Sequence, residues 1–195
     1  MPDGCTAWGD ESIQGQGTES SKYLLGVCIC NSDEKEIRAG FHSKHLDKGS
    51  KAHWYDMNQK ERKRSIELIN DFDLQHIVVS AGPLGNSRNT ERIRRKCFET
   101  LLPLLEQKYN VSRVVMEARS RKQDNREILF VQSLRQRKFI SRLRFDFDAG
   151  QKDARLWVPD QVLGSLGSKD AFKSDVPSEI CGIKNIDYTN IQLDE

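Results

Sequence analysis

The run Tyr23-Leu24-Leu25-Gly26-Val27-Cys28-Ile29-Cys30 is the longest apolar stretch of the chain. A membrane helix needs roughly 20 such residues, so this run reads as a buried strand. Just before it, Gly15-Gln16-Gly17 and the polar residues to Lys22 read as a hairpin-type loop. Thr6 to Asp10 reads as a short strand ahead of that loop. Ile37 to His42, with apolar residues at alternate positions, reads as a third strand. The start of the chain is therefore expected to be an antiparallel meander. Met1-Pro2-Asp3-Gly4 lacks the basic-then-apolar layout of a signal peptide, so the expected compartment is the cytoplasm, with no membrane partner.

Downstream the pattern alternates. Asn58 to Phe72 reads as a helix, with Asn58 as its cap and Glu61 three residues on. His76 to Ala81 is a strand ended by Gly82-Pro83. Thr90 to Tyr109 is the strongest helix, its stripe running through Ile93, Cys97, Leu101 and Leu104. Pro103 inside it predicts a kink or break. Val111 to Ala118 is an apolar β-branched strand. Asn125 to Lys138 is a helix burying Ile128, Val131 and Leu134, and Ile140 to Phe147 alternates as a strand. Val158 to about Phe172 is a last helix, with Pro159 in its first turn. A meander followed by alternating strands and helices implies a mixed α/β sheet with helices on its faces. With 195 residues, one domain is expected over 1–175, followed by a polar, acidic tail or edge strand over 176–195.

The composition, 36% hydrophobic and 31% charged, is that of a globular chain. Five cysteines, an odd number and scattered, argue against a disulfide framework. Cys28 and Cys30 share one strand face, and no second Cys/His pair stands at zinc spacing, so they read as core. The net charge of +2 hides an uneven distribution: ten basic residues against three acidic ones lie between Arg113 and Arg144. A basic middle suits a polyanionic partner, although solvated helix faces would give the same count.

Three carboxylates stand in unusual places. Asp10 ends the first strand, Glu117 ends the strand Val114-Val115-Met116-Glu117, and Asp160 lies in the first turn of the last helix. Apolar strands take a carboxylate when it is satisfied or functional. Three that converge would repel, and a hard divalent cation such as Mg²⁺ would remove that cost. Each also has an ordinary reading. Asp160 can complement a helix dipole, Asp10 can open a turn, and Glu117 can pair with Arg119 or Arg126. Asp160, Gly164 and Gly167 share a helix face, and the glycines would let the helix approach the sheet closely.

Gly9-Asp10-Glu11-Ser12, the Tyr23-to-Cys30 strand, Lys51-Ala52-His53-Trp54, Val115-Met116-Glu117 and Pro159-Asp160-Gln161-Val162 together resemble the domain-of-unknown-function family thirty-eight-hundred. That family is found in bacteria and phages and is similar to the RNase H-like superfamily of ribonuclease H, RuvC and integrase. The resemblance spans roughly residues 6 to 172. Ile13 departs from it, standing where a glycine often follows the serine.

The resemblance implies an RNase H-like fold: a mixed five- or six-stranded sheet with an N-terminal antiparallel meander and helices on both faces. It implies acidic site residues at Asp10, Glu117 and Asp160. A fourth acidic ligand is usual, with Asp124 the first candidate and Glu11 the second. His53 is a candidate metal ligand or proton donor, or else a structural histidine beside Trp54. The implied activity is hydrolysis of DNA or RNA phosphodiester bonds by a carboxylate-bound two-metal mechanism with Mg²⁺ or Mn²⁺, with Arg119, Arg121, Lys122 and Arg126 on the phosphate backbone. The alternatives are a non-catalytic nucleic-acid-binding subunit of a larger bacterial or phage defence or mobile-element complex, and a scaffold for a protein partner or a second copy.

Overall fold

The structure is a computed structural model and describes residues 4–15, 21–47, 51–84, 90–167 and 182–193. The fold rests on a six-stranded mixed sheet. Its strands are β1 (Cys5–Gln14), β2 (Lys22–Cys30), β3 (Leu74–Gly82), β4 (Val111–Glu117), β5 (Arg144–Asp148) and β6 (Ile186–Gln192), in the order β5-β4-β1-β2-β3-β6. β1, β2 and β3 form the antiparallel meander; β4, β5 and β6 add in parallel. The helices are α1 (Glu34–Ser43), α2 (Gln59–Asp71), α3 (Thr90–Gln107), α4 (Arg121–Gln136) and α5 (Trp157–Leu166).

Successive strand residues point to opposite faces, and each face has its own core. Trp8, Leu24, Cys28, Val78 and Val115 meet α1, α2 and α5 on one. Ala7, Leu25, Val27, Ile77 and Val114 meet α3 and α4 on the other. Cys28 and Cys30 are free, buried core residues. Helices therefore cover both faces, as expected. No described helix is long and apolar enough to cross a membrane.

The third strand of the meander is Leu74–Gly82; Ile37 to His42 is helical instead. Ile37 and Phe41 are buried while Ala39 between them is exposed, so the spacing that matters is four residues. Asp33 caps that helix by accepting from the Lys35 N–H. α2 begins with the expected capping box of Asn58 and Glu61.

α3 runs through Pro103 without a break. Leu101, Leu102 and Leu105 are fully buried around it and hold those turns against the sheet. The phase of α4 differs from expectation: Glu127, Val131 and Leu134 face inward, and Ile128 is 38% exposed. An ionic partner draws Glu127 inward, which a reading of apolar periodicity cannot register. β5 is shorter than the expected Ile140-to-Phe147 strand. The N–H groups of Ser141, Arg142 and Leu143 donate to the Glu106 carboxylate instead of a neighbouring strand. The last helix is helical to Leu166; its expected continuation to Phe172, the 175/176 boundary and residues 16 and 17 of the first loop lie outside the described residues. The chain end returns to the sheet as β6, on the edge beside β3.

Candidate active site

β1 does not end at Asp10. It continues to Gln14, paired with β2 throughout, so Asp10 sits mid-strand opposite Gly26 and opens no turn. β4 pairs with β1 in parallel up to Met116 beside Gly9, and the next residue, Glu117, ends the strand next to Asp10. Trp8 and Val115 belong to the α5-side core, and two-residue alternation puts Asp10 and Glu117 on that same face.

α5 supplies the third acid from above. All ten of its residues are buried, an apolar helix pressed onto the middle of the sheet. Gly26 makes the close approach possible, since a Cβ there would lie 2.7 Å from Leu163 Cδ2. Gly164 serves a different neighbour than expected. A Cβ on it would lie 2.2 Å from Trp54 Cγ, so it admits the short 3-10 turn Trp54–Asp56, not the sheet. That turn delivers the Trp54 N–H to Asp160 Oδ2 at 2.8 Å. Gly167 stands against the Gln14 side chain of β1.

Asp10, Glu117, Asp160 and His53 line one cavity of about 350 Å³, with Glu11, Lys51, Tyr55 and Arg119 also on its walls. Burial raises the Asp10 carboxyl well above the usual range, and the charges of Glu117 and Asp160 push it further. Burial also raises Asp160, against the pull of the Trp54 N–H, His53 and Lys51. Asp10 Oδ1 accepts the Glu11 N–H at 2.8 Å. Asp160 Oδ2 accepts from Gln161 Nε2 as well as Trp54, and Gln161 is braced in turn by Ser65. His53 Nδ1 stands 3.5 Å from Asp160 Oδ1, with its side chain 41% exposed at the cavity mouth.

Glu117 pairs with neither Arg119 nor Arg126. Its partner is Lys51, whose Nζ lies 2.7 and 2.6 Å from the two carboxylate oxygens. Burial works to lower the Lys51 pKa, but the bonds to Glu117 and its charge outweigh this and leave it raised.

The two candidates for a fourth acid have other partners. Asp124 Oδ1 accepts the Arg119 N–H at the start of α4. Glu11 alternates to the other strand face and, although it borders the cavity, its carboxylate binds Arg94 and Arg119. Register places a different acid in the row: Asp148 of β5 stands directly beside Glu117. Arg119 is engaged with Glu11 and Glu127, whereas Arg121, Lys122 and Arg126 are exposed and form no ion pair with the described residues. Lys51, Gln161 and Asp148 were not singled out for roles in the sequence. The Asp-Phe-Asp ending of β5 was the available signal for Asp148.

Hard carboxylate oxygens around a desolvated Asp10 are the donor chemistry of a Mg²⁺ or Mn²⁺ site. As the side chains stand, no three His, Cys, Asp or Glu residues among those described are placed to ligate an ion, and Lys51 holds Glu117.

No family model and no curated protein matches the chain, so the resemblance to family thirty-eight-hundred gains no support there. Solved structures do match. An RNase HII from Archaeoglobus fulgidus, determined in complex with PCNA, is similar with a TM-score of 0.55 at 16% identity, over 87% of this chain and 75% of that one. A mutant of Bst-RNase HIII gives 0.46 at 9% identity, over 83% and 51%. The ribonuclease H2 of Pyrococcus horikoshii OT3 gives 0.41 at 12%, over 90% and 82%. The mixed six-stranded sheet with helices on both faces is an RNase H-like fold.

Proposed function

We propose that this protein is a nuclease that hydrolyses phosphodiester bonds of DNA or RNA with Mg²⁺ or Mn²⁺. The observation that supports this most is the convergence of Asp10, Glu117 and Asp160 on one desolvated cavity of a nuclease-type fold. Two of the three carboxyls, Asp10 and Asp160, are held above their ordinary range by burial first and then by the charge of Glu117. A purely structural cluster would balance that charge; these three carboxyls pair with one lysine and a half-exposed histidine among the described residues, while Arg94 and Arg119 on the same wall are taken by Glu11 and Glu127.

Asp10, Glu117 and Asp160 would hold the cation, with Asp148 beside Glu117 and Asp124 further off as candidates for a fourth ligand. The ion would supply Lewis-acid polarisation of the phosphate and activation of water. Trp54 and Gln161 fix Asp160 by hydrogen bonds to one oxygen, leaving Oδ1 toward His53. His53, at the mouth, would give a proton to the leaving oxygen. Arg121, Lys122 and Arg126 offer exposed charge to the phosphate backbone, and Arg119 borders the cavity itself.

Cleavage of labelled single- and double-stranded DNA, RNA and hybrid, with Mn²⁺ and with EDTA, tests this. Wild type should cleave at least one substrate with Mn²⁺ only, and Asp10→Asn or Asp160→Asn should abolish it. Cleavage that persists in both variants removes these residues from the chemistry. Salt-sensitive binding with no cleavage of any substrate favours the non-catalytic binding module.

A further inference from the structure

Among the described residues on the cavity wall, Arg94 and Arg119 are held by Glu11 and Glu127, and Lys51 is the lysine or arginine that pairs with one of the three acids, Glu117. Its Nζ donates to both Glu117 oxygens, at 2.7 and 2.6 Å, so neither oxygen is open to a second cation along those directions. Its side chain is 17% exposed and its stem runs over Gly150, where an added Cβ would come within 3.2 Å of Lys51 Cδ. The same ammonium is close enough to Asp10 and Asp160 for their charges to act on it. The other two acids are arranged differently. Asp10 uses Oδ1 for a backbone N–H, and Asp160 uses Oδ2 for Trp54 and Gln161. Each keeps an oxygen that makes no hydrogen bond to the described residues. Two acids of three are thus open to an ion, and the third is occupied by a lysine.

We infer that Lys51 is a resident cation of the metal-free protein, holding Glu117 in place until a divalent ion displaces its ammonium. This rests on the reading of Asp10, Glu117 and Asp160 as a cation site. The exchange is an ion for an ion: the Lys51–Glu117 hydrogen bonds break, ion–carboxylate contacts form, and the ammonium turns toward the open cavity. Two consequences follow. The lysine limits the repulsion among three carboxylates when no ion is bound. It also weakens binding of the ion, because part of the ion's affinity offsets the lost charge-assisted bonds.

The test is Mn²⁺ binding to the full chain by isothermal titration and by the paramagnetic resonance signal of free Mn²⁺, for wild type, Lys51→Met, Lys51→Arg and Asp10→Asn. Lys51→Met should bind Mn²⁺ about ten- to a hundredfold more tightly than wild type. Lys51→Arg keeps the charge and should stay near wild type. Asp10→Asn should lose the binding, which separates the two ideas. If Asp10→Asn loses Mn²⁺ while Lys51→Met binds no tighter than wild type, the cation site stands and the role of Lys51 falls. If no protein takes up Mn²⁺, both fall. Should Lys51→Met not fold, the wild-type lysine ammonium resonance, assigned by its loss in Lys51→Arg, reports directly. It should shift toward a solvated lysine on Mg²⁺ titration, and an unmoved resonance at saturation overturns the displacement.

Discussion

Asp10 and Glu11 are neighbours on β1 that point to opposite faces of the sheet, and each stands at the centre of a cluster of ionised groups. On the α3–α4 face, Glu11 receives Arg94, Arg119 and the Tyr23 hydroxyl, and Arg94 also binds Glu127. Two arginines meet two glutamates there, Arg119 reaches Glu127 as well at 3.6 Å, and the charge closes to zero. On the α5 face, Asp10, Glu117 and Asp160 share Lys51 and the half-exposed His53. The first cluster is balanced in charge, although Arg119 Nε and both Glu127 oxygens are buried without a hydrogen bond to the described residues. The second lies on a cavity that Glu11, Arg94 and Arg119 also line, and its own three carboxyls pair only with Lys51 and His53 among the described residues. Burial alone does not distinguish a functional carboxylate from a structural one; the balance of charge around it does.

The sharpest way to break this comparison is to unbalance the closed network. Glu127 is 1% exposed and Arg94 is its near partner. Arg94→Met removes the cation and leaves a buried anion. The expected cost is about 3–5 kcal/mol, or roughly 6–20 °C in melting temperature for a domain of this size. Adding Glu127→Leu should recover part of it. A drop of only a degree or two in the single variant would show that this network is as loosely held as the other.

A second buried group on the α5 side has no ionic partner among the described residues. His76 of β3 is 2% exposed, and burial lowers its pKa to about 4. The unfolded chain takes up the proton near its ordinary value of 6.5, and the folded chain does so only near 4. Stability is therefore complete above pH 6.5 and declines as pH falls through that window, by about 3 kcal/mol at most. Denaturant melts between pH 7 and 4 on wild type and His76→Leu measure this. An unchanged slope in the variant would assign the acid sensitivity to other groups.

How much of this was readable beforehand differs between the clusters. The α5-side acids interrupt apolar strands and an apolar helix, so Asp10, Glu117 and Asp160 stand out in the sequence itself. Most strands and helices were legible for the same reason, since period 2 and period 3.6 follow burial by one face. Ile37 and Phe41 misled because a four-residue spacing satisfies both periods. The closed network was invisible. Glu127 sits where an apolar residue would be expected, Arg94 is 33 positions away (127 − 94), and only folding brings them together. Lys51 and the Trp54 N–H were hidden likewise, because a loop residue's partner depends on tertiary packing.

Arg119 was expected to act with Arg121 and Lys122 on a phosphate backbone, but reversing it would break the closed network. A cleaner test reverses Arg121 and Lys122 alone, both exposed at the start of α4. Arg121→Glu with Lys122→Glu should weaken nucleic-acid binding alike for all sequences and lower the salt dependence by about 1 to 2 in slope. The melting temperature should hold, unlike that of Arg94→Met. Affinity indifferent to both charges and salt would make the exposed stretch a solvated surface.

The smallest expected effect separates the two clusters most directly. Asp10→Asn keeps an oxygen to accept the Glu11 N–H and removes one charge from beside Glu117 and Asp160. Because burial and those neighbours raise the Asp10 pKa, its ionised form costs stability in the fold. The benefit of a protonated Asp10 is fully present below the ordinary carboxylate range and lost as pH rises through the folded value. At neutral pH in EDTA, Asp10→Asn should therefore melt at the wild-type temperature or slightly above, a gain of about 1 kcal/mol or less. The advantage should vanish as pH falls and wild-type Asp10 protonates. With Mn²⁺ present the order should reverse, since only the wild type gains from binding the ion. Glu11→Gln, one residue along, should lose stability in both conditions, because it takes an anion from a network that was balanced. If Asp10→Asn falls by many degrees in EDTA, as Glu11→Gln is expected to, then Asp10 too belongs to a structural network, and the contrast between the two faces of β1 is lost.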